Sequence, residues 1–133
     1  MKTKFTLSFL LLLGILNCSC KKSKDIDEYY VKYEVNSTTV YFGEKLSVTI
    51  SNEKNSNTTL LIDAKIPWET VVGPVKKGFI ATMGVVKEGS ATNQLRLSTQ
   101  ISVSKNNGPF ALKKIDDSNT PRNTAQISYT IDF

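Results

Sequence analysis

The sequence predicts an all-β domain, an antiparallel sandwich of seven or eight short strands behind an N-terminal leader. Three observations carry this. Apolar side chains recur at every second position in segment after segment, which is the period of a strand with one buried face. No stretch after the leader offers apolar residues at helical spacing over three turns. Between the alternating segments stand clusters of Asn, Ser, Gly, Pro and Lys, which favour turns.

The leader comes first. Lys2 and Lys4 precede an almost unbroken apolar run of 12 residues, Phe5 to Leu16, and Cys18 and Cys20 follow at once. A membrane-spanning helix needs roughly 20 apolar residues, so this run has the anatomy of a secretory signal instead. A Cys at its end resembles a bacterial lipoprotein leader, cut before a Cys that carries acyl chains. Cleavage before Cys18 puts Ile15 three residues upstream and Asn17 next to the cut. Cleavage before Cys20 puts small Ser19 next to the cut and polar Asn17 upstream. Both stay open. The division expected is a signal peptide over 1–19, a charged tether over 20–28 and a sandwich over 29–133. The tether's Lys and Asp resemble lipoprotein leaders of the Bacteroidetes type, and the expected location is the bacterial cell envelope, with the anchor in the outer membrane.

Two cysteines one residue apart suit a structural disulfide poorly. No other Cys exists, so the domain beyond the leader has no disulfide, thiol nucleophile or thiolate metal site. Removing the leader takes two lysines and no acids, so the formal charge falls from +5 to +3. Without Lys21, Lys22 and Lys24 the remainder is balanced, and the basic pI is no argument for nucleic acid.

Tyr29 to Val35 alternates with Tyr29, Val31, Tyr33 and Val35 on the inner face, a first strand. Thr38 to Phe42 is a short β-rich segment that Gly43 breaks. Lys45 to Ser51 places Leu46, Val48 and Ile50 inward, and Asn52 to Asn57 forms a polar hairpin loop. The strand on which this reading centres is Leu60 to Trp68, with Leu60, Ile62, Ala64, Ile66 and Trp68 on its core face. Pro67 cannot donate to a sheet ladder, so the strand turns a corner there, and Pro67 and Trp68 mark the core. Val71 and Val72 precede Gly73-Pro74. Phe79, Ala81, Met83 and Val85 share one face of the next strand, and Lys87 to Asn93 reads as a polar loop. Leu95 to Val103 is the longest strict alternation. Lys105 to Pro109 is a turn, because Asn and Gly tolerate positive φ. Phe110 to Lys114 returns, and Ala125 to Phe133 closes the chain. An immunoglobulin-like open sandwich fits this spacing, with an eight-stranded lipocalin-like barrel as the alternative.

The chain has no His, so a His-based triad, a His-zinc site and a His proton shuttle are excluded. The adjacent acids Asp116-Asp117 fall in a loop, where they either hold calcium or do nothing. Ser102 and Ser104 lie on the solvent face of their strand without a nucleophile elbow. No catalytic residue, metal ligand or cofactor site is expected. Tyr29, Tyr33, Trp68, Phe79, Phe110, Tyr129 and Phe133 fall on inward positions. Tyr30 and Tyr41 face outward and, with the Lys76-Lys77 cluster, are the candidate contact residues.

Tyr30 to Val35, Leu46 to Ile50, the tripeptide Ile66-Pro67-Trp68, Leu97 to Val103 and Ala125 to Ile131 together resemble the extracytoplasmic domain of the mycobacterial MmpS membrane proteins. The tripeptide is similar to that family's Leu-Pro-Trp. The chain departs from the family in its lipidated Cys, where the family keeps a transmembrane helix, and in having no Cys pair in the late strands. The resemblance implies an Ig-like sandwich without enzymatic activity that serves as an accessory to lipid and siderophore exporters. The function expected is therefore that of a lipid-anchored envelope protein that binds another envelope protein. The alternatives are a carrier with an apolar interior and an inhibitory or immunity lipoprotein.

Overall fold

The computed structural model describes residues 26–37, 44–63, 67–89 and 94–133. Eight strands make up the described fold: β1 (Tyr29–Ser37), β2 (Lys45–Ser51), β3 (Asn57–Asp63), β4 (Trp68–Val75), β5 (Ile80–Glu88), β6 (Leu97–Lys105), β7 (Ala111–Asp117) and β8 (Thr124–Thr130). They form two antiparallel four-stranded sheets, β4-β1-β6-β7 and β3-β2-β5-β8. The sheets face each other and do not close on themselves, so the fold is the expected sandwich and the barrel alternative falls. Only β2-β3 and β6-β7 are hairpins within a sheet; every other connection passes between the sheets.

Alternation builds the core. Tyr29, Val31, Tyr33 and Val35 of β1 meet Leu46, Val48 and Ile50 of β2 and Ala81, Met83 and Val85 of β5, all buried, with Leu97, Ile101 and Val103 of β6 beside them. Burial of this apolar surface is the main force holding the sheets together. Tyr33 reaches across the layer, its hydroxyl donating to the Ser51 carbonyl at 3.1 Å, and desolvation raises its pKa well above the phenol range. The turn after β6 is as expected. Asn106 and Asn107 have φ of 50° and 59°, and the Gly108 N–H donates to the Lys105 carbonyl at 2.9 Å, the backbone of a hairpin turn with two positive-φ residues.

The stretch expected to be one core strand, Leu60 to Trp68, is two strands. Its first half ends β3 in one sheet and its last residue opens β4 in the other. The chain thus changes sheets next to Pro67, where a corner was expected, but both halves are edge strands. Pro67 is exposed, and Trp68 is half-buried against the core, as is Ile62. Thr38 to Phe42 and Ala64 to Ile66 lie outside the described residues. The number of strands agrees with expectation while the membership differs, because β4 runs on through Val71, Val72 and Gly73-Pro74.

Both chain ends of the domain meet at one pole. The Tyr29 hydroxyl donates to the Phe133 carbonyl, and the two rings stack edge to face with centroids 5.6 Å apart. Beside them the Asn106 N–H donates to the Glu28 carbonyl at 2.8 Å, and Lys105 Nζ lies 2.8 Å from Asp27 Oδ2.

Candidate functional site

The strand registers decide which side chains share a surface. In the sheet β4-β1-β6-β7, Lys32 stands opposite Val71 on one side and Ser102 on the other, and Ser102 stands opposite Leu112. One row further along, Glu34 faces Glu69 and Gln100, and Gln100 faces Ile115. Tyr30 faces Ser104. The outward face of this sheet therefore carries Val71, Leu112 and Ile115 around a polar centre. Phe110, just before β7, sits with its ring centroid 5.6 Å from Lys32 Nζ, within cation–π range. Val71, Phe110, Leu112 and Ile115 are all between 41% and 53% exposed. Lys32 is tied in the middle, 3.1 Å from Glu34 and 3.8 Å from Glu69.

Two expectations change here. Ser102 and Ser104 do point outward, but they are only 5% and 2% exposed. Small side chains on a central strand are overlain by the longer Tyr30, Lys32 and Leu112 of its neighbours, and Ser104 Oγ also donates to the Gly108 carbonyl at 2.6 Å. Phe110 and Phe133, expected inward, are both exposed, since each lies beyond the end of its strand. Tyr129 is half-buried against the core. Its hydroxyl stands 3.3 Å from Asp132 Oδ1, and partial burial together with that carboxylate raises its pKa.

Of the expected contact residues, Tyr30 lies on this face, half-buried, its hydroxyl 3.5 Å from Glu28 Oε2. Lys76 and Lys77 are exposed in the β4–β5 connection, at the pole where the chain enters. There they line an open depression with Glu53, Asn55 and Phe79. The structure does not bring them together with Tyr30 into one cleft. Cys18, Cys20 and Tyr41 lie outside the described residues.

At the opposite pole a polar group replaces the expected loop. β5 continues through Lys87, which faces inward in step with Ala81, Met83 and Val85, and its Nζ lies 3.0 Å from Glu44 Oε1. Nearby, Arg122 binds Asp116 Oδ2 at 2.9 Å and the Leu97 carbonyl at 2.9 Å. Asp116 is thus occupied by a guanidinium, and among the described residues no cluster of three acids or thiols is placed to hold a metal ion.

The fold defines an antiparallel β-sandwich with an aromatic and aliphatic outer face. No protein-family model and no curated protein matches the chain.

Proposed function

We propose that this protein is a lipid-anchored, non-enzymatic component of the bacterial cell envelope that works by binding another envelope protein through the outer face of the β4-β1-β6-β7 sheet. One observation carries the reading: four sizeable apolar side chains stand out from that face, ringing the Lys32 ion pairs. A cluster of exposed apolar side chains on one sheet face marks an interaction surface, and the Lys32 charge among them is already balanced by Glu34 and Glu69 of the same chain. The leader ending in Cys18 and Cys20 supports membrane attachment through acyl chains, and the resemblance to the MmpS domains supports an accessory role in transport. The space between the sheets is occupied by buried side chains, which favours action at the surface over a carried ligand.

The test uses the full chain, expressed with its leader. A photo-crosslinking residue at Leu112 is expected to trap one membrane protein in stoichiometric yield, and Leu112→Glu with Val71→Glu to abolish the capture. Labelling with a fatty-acid analogue is expected to disappear when Cys18 and Cys20 are both changed to Ser. A chain that stays unacylated, or that traps nothing in envelope membranes, would defeat the proposal.

A further inference from the structure

The four edge strands are guarded unequally. An open edge presents unpaired N–H and C=O groups, and natural sheets blunt it with charges, Pro, bulges or cover. β4 carries Glu69 and Pro74 and breaks register opposite Tyr30. β7 carries Lys113, Lys114, Asp116 and Asp117 and a register shift between Ile101 and Ser102. β8 lies against β6 and β7 of the other sheet. β3 has no Pro and no bulge, and its one charge is Asp63 at its last position. From Asn57 to Ile62 it contains no charge and no Pro, and it pairs with β2 through seven unbroken steps. It packs principally on β2, and no other described strand pairs with its far edge. Leu61 on its outer side is 60% exposed, and Leu60 is exposed although it faces inward.

We propose that β3 pairs antiparallel with β3 of a second copy, about a two-fold axis at Leu61. The registers select this arrangement. A two-fold perpendicular to the sheet keeps outer positions opposite outer ones, so the axis must pass through a residue. Centred on Leu60, it sets Leu61 against Thr59 of the second copy and Asp63 against Asn57, apolar against polar. Centred on Leu61, it sets Leu61 against Leu61, Leu60 against Ile62 of the second copy, and Asp63 against the Thr59 hydroxyl. Every exposed apolar side chain of β3 then meets another, and no like charges face each other across the seam. The product is one continuous sheet of eight strands, β8-β5-β2-β3 joined to its symmetry mate, a width that natural sheets reach. Anchoring both copies in one membrane would raise their effective concentration. This interface lies on the other sheet from the proposed partner-binding face and does not depend on it.

The soluble chain 21–133 retains every buried residue of the described core and has no cysteine. Sedimentation over a wide concentration range is expected to show a monomer–dimer equilibrium. Leu61→Lys, at an exposed position, should weaken that equilibrium roughly 100-fold with an unchanged circular-dichroism spectrum. Leu112→Glu should leave it intact, which separates this interface from the partner-binding face. In the cysteine-free background Leu61→Cys places two thiols across the axis, about 5 Å apart at Cβ. It should oxidise to a disulfide-linked dimer, and Thr59→Cys should not. A monomer at every concentration, a dimer indifferent to Leu61→Lys, or linkage that favours Leu60→Cys over Leu61→Cys would each overturn the proposal. So would a β3 edge that stays single until it captures a strand of a different protein.

Discussion

Lys87 Nζ lies 3.0 Å from Glu44 Oε1, with the lysine side chain 1% exposed and the glutamate 12% exposed. The ammonium occupies an inward position that the rest of β5 gives to Ala81, Met83 and Val85. Removing one partner of a buried pair leaves the other charge without its counter-ion, whereas replacing both with apolar groups is often close to neutral. Lys87→Met is therefore expected to destabilise the domain by roughly 3 kcal/mol, and Lys87→Met with Glu44→Leu to recover at least half of the loss. Urea unfolding of the two variants measures the difference.

Thr99 is fully buried on β6, and among the described residues its hydroxyl has no hydrogen-bond partner. A buried hydroxyl without a partner costs desolvation free energy with no return. Thr99→Val keeps the shape and removes the polar atom, so it should stabilise the fold by about 1 kcal/mol. A rise in Tm of roughly 5 °C would register it; a fall would mean that the hydroxyl is satisfied in solution.

Gly73 and Gly84 respond oppositely to the same change. At Gly73 (φ 149°), a Cβ would meet the Tyr29 carbonyl oxygen and Tyr30 Cδ1, each at 2.8 Å. β4 passes Tyr30 with an extra residue at that point, since Tyr29 pairs with Val75 and Val31 with Val72. Gly73→Ala should cost roughly 2 kcal/mol or more. A Cβ at Gly84, inside β5, would meet nothing within 4 Å. There Gly84→Ala should stabilise by about 0.5 kcal/mol, chiefly by restricting the unfolded chain. Denaturation midpoints moving in the same direction would contradict the pair of predictions.

Acid and alkali should act at different places. Donors from Lys105 and then Asn106 hold the Asp27 carboxyl below its ordinary value. Its contribution is present above the unfolded carboxylate pKa of about 3.9 and is lost as pH falls through the lower folded value. Asp27→Asn should therefore be slightly less stable than the parent at neutral pH, and the two should converge under acid. Lys105 is raised, first by its bond to Asp27; its share is present below about pH 10.4 and is lost as pH rises through the folded value. The buried Tyr33 hydroxyl acts in the same sense. Its folded pKa is raised by desolvation, so stability should decline once the pH exceeds the unfolded phenol value of about 10. Tyr33→Phe should lose the bond to Ser51 and flatten that decline, as pH-dependent unfolding monitored by circular dichroism would show.

Strands whose inner face is fully covered were legible in the sequence. β1, β2, β5 and β6 sit inside their sheets, and the apolar side chains at their inward alternate positions are the buried ones, with outward Ser102 and Ser104 and inward Lys87 among the exceptions. Edge strands were less so. The alternation from Leu60 to Trp68 passes through a change of sheet, because period two records which way a side chain points and not which layer it belongs to. Val71, Val72 and Gly73-Pro74 carry no alternation, since the extra residue opposite Tyr30 disrupts it. Lys87 read as loop because a charge breaks an apolar pattern even where the backbone continues inward. The outer face of the β4-β1-β6-β7 sheet was hidden for a further reason. Leu112, Ile115 and Val71 are scattered along the chain and become neighbours only through pairings that no local pattern encodes, whereas Tyr30, Ser102 and Ser104 of that face follow from the alternation within β1 and β6.

The meeting of the Tyr29 hydroxyl with the Phe133 carbonyl makes the folded backbone nearly a closed loop. A few glycines bridging Phe133 to Glu28 would complete the circuit, and a fresh opening cut in the exposed β2–β3 turn at Lys54 would give a permuted chain with the same two layers. The new ends at Lys54 would leave from that same pole, beside Lys76 and Lys77, so the sandwich would keep both termini on one side while its covalent order changed.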